Sequence, residues 1–163
     1  MTGSVDASVD IVPAQSFAQI ELVRELFLEY AKSLGFNLCF QGFDAELAAL
    51  PGDYAPPSGR LLLAMQDEST IGCVALRGLG DGCCEMKRLY VRPAHRATGL
   101  GRELAQRIID EARSIGYSAM RLDTLQTMSA ARKLYRSLGF RQIAPYYDNP
   151  IPGAEYLELR LTS

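Results

Sequence analysis

Apolar positions recur along this chain with two periods, and the switches from one to the other mark where its elements begin and end. Residues 9–12 form a short apolar strand closed by Pro13. Behind it Ile20, Val23, Phe27, Tyr30 and Leu34 recur at helical spacing. Ser16-Phe17-Ala18-Gln19 has the S-x-x-Q form of a capping box at the start of that helix, and Gly35 suits its C-terminal end. Residues 60–66 read as a buried strand and 70–77 as its hairpin partner, turned at Asp67-Glu68-Ser69. Gly78-Leu79-Gly80-Asp81-Gly82 looks superficially like a phosphate loop, but it precedes a strand, so a flexible hairpin connection is expected. Residues 84–91 are the fourth strand, whose alternation puts Glu85, Lys87, Leu89 and Val91 on one face and Met86, Arg88 and Tyr90 on the other.

Helical spacing returns over residues 99–115, with a buried stripe of Leu104, Ala105, Ile108, Ala112 and Ile115 and a stop at Gly116. Residues 119–125 are a strand, so the strand, helix and strand from Cys84 onward make a βαβ unit with parallel strands. Ser129 is expected to cap a last helix that buries Ala131, Leu134, Tyr135 and Leu138 and ends at Gly139. Residues 140–143 and 155–161 supply the final strands, separated by a Pro/Tyr-rich loop at 145–153. Residues 36–59 fit neither period. Phe36, Phe40, Phe43 and Tyr54 stand there among glycines and prolines, with room for one short helix near 44–50, as a satellite cluster or as pocket walls.

Size and composition narrow the picture further. A chain of 163 residues is one domain by length, with residues 1–8 a loose tail. Hydrophobic residues at 48% and charged residues at 22% are those of a globular domain, and a net charge of −2 gives no reason to expect nucleic acid. Without a membrane-length apolar run or a basic leader, a cytoplasmic location away from membranes is expected. Cys39, Cys73, Cys83 and Cys84 form no C-x-x-C, and one histidine completes no zinc set, so reduced thiols and no metal are expected.

The stretch richest in chemistry is residues 87–101, K-R-L-Y-V-R-P-A-H-R-A-T-G-L-G. A strand breaks at Pro93 and runs through Arg96-Ala97-Thr98-Gly99-Leu100-Gly101 into a helix. Unpaired N–H groups and the helix dipole suit that turn to a phosphate or diphosphate, and Arg96 and Arg102 flank it. The loop lacks the Gly-Lys-Ser/Thr of a Walker loop and the third glycine of a dinucleotide fingerprint. It resembles instead the R/Q-x-x-G-x-G/A loop of the GNAT N-acetyltransferase superfamily, which holds the diphosphate of coenzyme A. A second segment, Ala131-x-x-Leu134-Tyr135-x-x-x-Gly139-Phe140, has the form found in that family's last helix. The tail from Pro145-Tyr146-Tyr147-x-Asn149-Pro150 to Tyr156-Leu157-Glu158-Leu159 is similar to a bacterial subgroup.

The resemblance covers nearly the whole chain. It implies an α/β (α+β) single-domain GNAT-like fold: a mixed, mostly antiparallel central sheet splayed between the fourth and fifth strands, with helices on both faces. It implies acetyl-CoA as co-substrate, with the backbone of Leu89, Tyr90 and Val91 along the pantetheine arm and Ala131 beside it. The amides of Arg96, Ala97, Thr98, Gly99, Leu100, Gly101 and Arg102 would hold the diphosphate. Tyr135 falls at the family's general-acid position; its phenol is protonated at neutral pH, although a core tyrosine would look the same in sequence. Glu85, eleven residues before Arg96, stands where several members carry a general base; a structural ion pair with Lys87, or a water chain as base, is equally open. Met128 replaces an asparagine that contacts pantetheine in many members, leaving Ser129 or Thr127 to substitute. His95 reads as a solvated loop residue near the phosphates.

The function implied is direct acetyl transfer to the primary amine of a small molecule in a ternary complex, by a monomer or a homodimer. Residues 36–59 and 145–153 would wall the acceptor site, with Glu46, Asp53 and Asp148 available to a cationic amine. Acetylation of a peptide N-terminus or a protein lysine, and a non-catalytic acyl-CoA-binding sensor, are the alternatives.

Overall fold

The computed structural model describes residues 8–35, 38 and 42–162. Its strands are β1 (Val9–Pro13), β2 (Arg60–Gln66), β3 (Ser69–Gly80), β4 (Cys83–Val91), β5 (Ala119–Leu125), β6 (Arg141–Ile143) and β7 (Ala154–Arg160). Its helices are α1 (Phe17–Leu34), α2 (Phe43–Ala49), α3 (Leu100–Ile115) and α4 (Ser129–Ser137), with 3₁₀ turns at Gly52–Tyr54 and Pro93–His95. The strands form one sheet in the order β1-β2-β3-β4-β5-β7-β6, antiparallel throughout except for the β4–β5 pair. Among the described residues no helix is long and apolar enough to cross a membrane.

The sheet separates two cores, because strand side chains alternate between its faces. On one face α3, α4 and the turn after α4 pack Leu104, Ile108, Tyr135 and Phe140 against Leu62, Val74, Met86, Met120, Leu122 and Leu157. On the other, α1 and α2 cover Leu61, Leu63, Cys73 and Ala75 with Val23, Leu26, Phe27 and Phe43. Val23, Leu26 and Phe27 are fully buried, each contributing about 1.5–3 kcal/mol of burial. The capping box at α1 is present as the sequence indicates: Gln19 N donates to Ser16 Oγ, and Gln19 Oε1 accepts from Ser16 N at 3.0 Å. Gly35 ends the helix in the left-handed region.

The pairing that matters most is the shortest. β4 and β5 run parallel only over Cys83, Cys84 and Glu85 against Ala119, Met120 and Arg121, then part. From Met86 onward β4 has no strand partner on that side, and a wedge-shaped opening forms in the sheet. The other flank of β5 stays paired with β7 along its whole length, which holds the second wall straight.

Three sequence expectations are corrected. Simple alternation in β4 fails because Arg88 adopts φ 59° and the register against β3 slips between Cys73↔Tyr90 and Ala75↔Lys87. This bulge inserts one residue, so Leu89 and Val91 pack on the α3 face while Tyr90 joins the α1 face. The glycine run at 78–82 is not a loose connection: β3 continues through Gly80, and only Asp81 and Gly82 turn, both at positive φ as a tight hairpin requires. Ser129 is the first residue of α4 rather than its cap; Met128 holds the cap position and makes no side-chain capping bond.

Candidate functional site

The opening between β4 and β5 leads into a cavity lined by Met86, Lys87, Arg88 and Leu89 on one wall and by Leu122, Asp123, Thr124 and Leu125 on the other. α4 closes it from one side with Met128, Ala131 and Tyr135, while Tyr30 and Leu34 of α1, Leu38 and Asn149 border it from the opposite side. The cavity therefore passes through the plane of the sheet, reachable from both faces. Phe36, Cys39 and Phe40, expected near the acceptor walls or among the thiols, lie outside the described residues.

One end of the wedge meets the start of α3. Gly99 occupies the cap position at φ 89°, in a region that glycine enters without steric cost, and no side chain caps the helix. The first amides of α3 are thus left for an external acceptor, as an anion site requires. Ala97 also has positive φ, at 62°, and Thr98 Oγ1 ties the loop to His95 O at 2.7 Å. Arg96 donates from Nε to Val91 O at 3.0 Å and lies over the Tyr90 ring; Arg102 donates to Ser137 Oγ at 2.6 Å. His95 is half-buried and bonded to Gln66 at 3.2 Å, a structural position rather than a solvated one. Leu89, Tyr90 and Val91 lie along the β4 edge that has lost β5 as a partner.

Tyr135 is buried against Phe140, with ring centroids 5.7 Å apart, and borders the cavity from α4. Burial pushes its phenol above the usual tyrosine range, so the proton stays on the oxygen. The hydroxyl makes no hydrogen bond among the described residues, which leaves it to whatever enters the cavity. Met128, at the position where an amide was expected, offers only sulfur, which accepts from Thr124 Oγ1 at 3.8 Å.

Glu85 lies elsewhere. It is 1% exposed and absent from the cavity walls; its Oε1 accepts from Arg77 Nε at 2.8 Å and its Oε2 from Tyr146 OH at 2.6 Å. Lys87 Nζ approaches the same carboxylate at 3.8 Å. Burial, with Arg88 alongside, lowers the Lys87 ammonium to about 8. Glu46 is taken by a two-pronged Arg88 fork at 3.0 and 3.1 Å, and by Tyr54 OH at 2.8 Å, so it is not available to an acceptor amine. Cys73 and Cys84 are buried, and burial raises both thiols, Cys84 to about 12, the reverse of what a nucleophile needs.

The sequence reading did not single out Asp123. It projects from β5 toward the acceptor face, where its Oδ2 accepts from Tyr147 OH and, at 2.8 Å, from Asn149 Nδ2. The signal was faint: the one carboxylate in a seven-residue strand, Ala119–Leu125, that also carries Arg121 and Thr124. Tyr146 and Tyr147 each meet Tyr156 edge-to-face, at 5.4 and 5.6 Å, and tilt against each other at 5.5 Å, tying together the 145–153 loop that delivers Asn149. Among the described residues no cluster of histidine, cysteine and carboxylates is placed to hold a metal ion.

Known proteins resemble this chain in sequence and in fold. The family model of the acetyltransferase (GNAT) family matches residues 21–140. A Schizosaccharomyces pombe protein named as an uncharacterized N-acetyltransferase is 47% identical over 141 residues, covering 85% of this chain and 86% of its own, so the similarity is not confined to bacteria. An acetyltransferase of the GNAT family from Staphylococcus aureus shares the fold with TM-score 0.79 at 18% identity, covering 95% of this chain and all of that one. A Salmonella typhimurium protein described as an acetyltransferase with its cofactor acetyl-CoA superposes with TM-score 0.67 at 23% identity, covering 96% of this chain and 95% of that one.

Proposed function

This chain belongs to the GNAT acetyltransferase family, and from that premise we propose that it moves an acetyl group from acetyl-CoA to the primary amine of a small molecule, by direct transfer in a ternary complex. It is an N-acetyltransferase, and residues 1–163 are read as one catalytic domain. The observation that carries the reading is the wedge between β4 and β5, with uncapped amides at the head of α3 and Tyr135 on the cavity wall.

Acetyl-CoA supplies an acyl group already activated as a thioester. The amides at the head of α3 take the diphosphate, helped by the dipole of a 16-residue helix. The unpaired edge of β4 from Leu89 to Val91 bonds the pantetheine amides as a missing strand would. Ala131, small and on the facing helix, leaves room for the arm. The acceptor enters from the opposite face, past Tyr30 and Asn149. Transfer forms one C–N bond and breaks one C–S bond; Tyr135 gives its proton to the departing sulfur and is reprotonated by the second proton the nitrogen sheds as it becomes an amide. Burial keeps the proton on the Tyr135 oxygen until negative charge develops on the departing sulfur. The acceptor's ammonium sheds its first proton to water before attack, because both oxygens of Glu85 are engaged with Arg77 and Tyr146.

Thiol release from acetyl-CoA, screened against small amines and peptides side by side, tests this. Amine-dependent release with the small molecules is expected. Release with peptides alone would replace the acceptor class, and coenzyme A binding without any release would make the protein a sensor.

A further inference from the structure

Among the described residues seven carboxylates are half-buried or buried, and six of them, Glu29, Glu46, Glu85, Glu111, Glu155 and Glu158, each pair with an arginine at 2.8–3.0 Å. The seventh is Asp123, on the cavity wall, and no arginine, lysine or histidine among the described residues forms a salt bridge with it. We infer that its counterion is the acceptor: Asp123 is the seat of the acceptor's ammonium, and the site selects aliphatic amines, cationic at neutral pH, over uncharged nucleophiles. The inference rests on the acetyl-transfer reading and names the residue that chooses the acceptor at the same site.

What surrounds Asp123 orients its charge without cancelling it. Oδ2 accepts from Tyr147 OH and, at 2.8 Å, from Asn149 Nδ2, both neutral donors. Oδ1 accepts no hydrogen bond among the described residues, so one oxygen is left for an ammonium N–H. Both donors come from the 145–153 loop, which Tyr156 pins from β7: its hydroxyl donates to Tyr147 O at 2.7 Å and accepts from Asn149 N at 3.1 Å. The Tyr147-x-Asn149 spacing of that loop is thereby explained, since it delivers two donors to one carboxylate oxygen. The cations that also line the cavity are already matched, Arg88 by its fork onto Glu46 and Lys87 beside Glu85.

Desolvation supplies the discrimination. An acceptor that enters the cavity displaces water from Asp123, and a carboxylate stripped of water is costly unless a cation replaces it. An ammonium brings that cation and turns the cost into a charge-assisted contact. An alcohol or an aryl amine, uncharged at neutral pH, removes the water and offers no charge in return. Asp123 and Tyr135 line the same cavity, so a nitrogen seated at the carboxylate is in the chamber of the proton donor. From that seat the ammonium sheds its first proton to water and the freed amine attacks the thioester carbon.

The test is thiol release from acetyl-CoA with aliphatic primary amines, each beside the O-alkylhydroxylamine of the same shape, in which oxygen replaces the CH2 next to nitrogen and the molecule is uncharged at neutral pH. For the best amine, Asp123→Asn is expected to raise KM tenfold or more. For its uncharged counterpart, KM (or the inhibition constant against the amine, where it is not acetylated) is expected to move by less than about threefold. These constants do not depend on the fraction of protein folded, and loss of packing alone would raise both, so an unstable variant does not imitate the result. An amine KM that survives Asp123→Asn, one that rises together with that of its counterpart, or turnover of the uncharged compounds alone overturns the inference and leaves acetyl transfer standing. If nothing releases thiol, titration of the same amines into the protein–coenzyme A complex decides. Heat that Asp123→Asn abolishes keeps the ammonium seat and removes acetyl transfer; heat that survives the substitution, or no heat, overturns the inference.

Discussion

Removing the oxygen of Tyr135 separates its chemistry from its packing. A phenylalanine keeps the ring contact with Phe140 and the burial, and loses only the proton donor. Tyr135→Phe is therefore expected to lower kcat by about 10²-fold or more, with coenzyme A affinity by calorimetry within about twofold of wild type. Lys87 carries a second residue-scale prediction. Its folded value of about 8 lies below the ordinary 10.5, so between these pH values the unfolded chain binds the extra proton and stability rises with pH. Urea unfolding is expected to show wild type gaining on Lys87→Met from pH 8 to 10.5, by no more than about 3 kcal/mol. Tyr135 was legible in the sequence because its motif is contiguous. That Lys87 and Asp123 line one cavity was not, because 36 positions of chain separate them.

At the scale of elements, local chemistry predicts well wherever the partners are local. The Ser16–Gln19 box is one such case, four residues closing their own hydrogen bonds. Ser16→Ala is expected to cost about 1 kcal/mol of stability in chemical denaturation and to leave kcat/KM unchanged, since the cap lies away from the cleft. Strand boundaries at β2 and β5 follow their apolar runs for the same reason. The β4 bulge breaks the rule. Positive φ usually marks glycine, asparagine or aspartate, and an arginine carries no such mark. Arg88 holds that conformation through contacts made far away in sequence, with Glu46, Tyr30 and Phe43. One displaced residue then decides which side chains of β4 face the acceptor.

Across the whole molecule, the sheet is one continuous layer only as far as Glu85 and Arg121, and the wedge beyond them is where a ligand adds contacts. Coenzyme A binding only the folded state at 100 times its dissociation constant is expected to add about 2.7 kcal/mol, or roughly 5–10 °C in Tm. Pantetheine at the same concentration, lacking the diphosphate that the head of α3 receives, is expected to shift Tm much less. Equal shifts from the two would remove the diphosphate site from the account.

The amino-acid sequence by itself determined the succession of elements, the glycine-led turn into α3 and the place of Tyr135 in its helix, because each is written in residues within a few positions of one another. Only the tertiary structure decided that Glu85 is occupied by Arg77 and by a tyrosine 61 residues away, and that Lys87 and Asp123 line one cleft. Those are meetings between distant parts of the chain, set by where β4 and β5 separate, and no local period encodes that point.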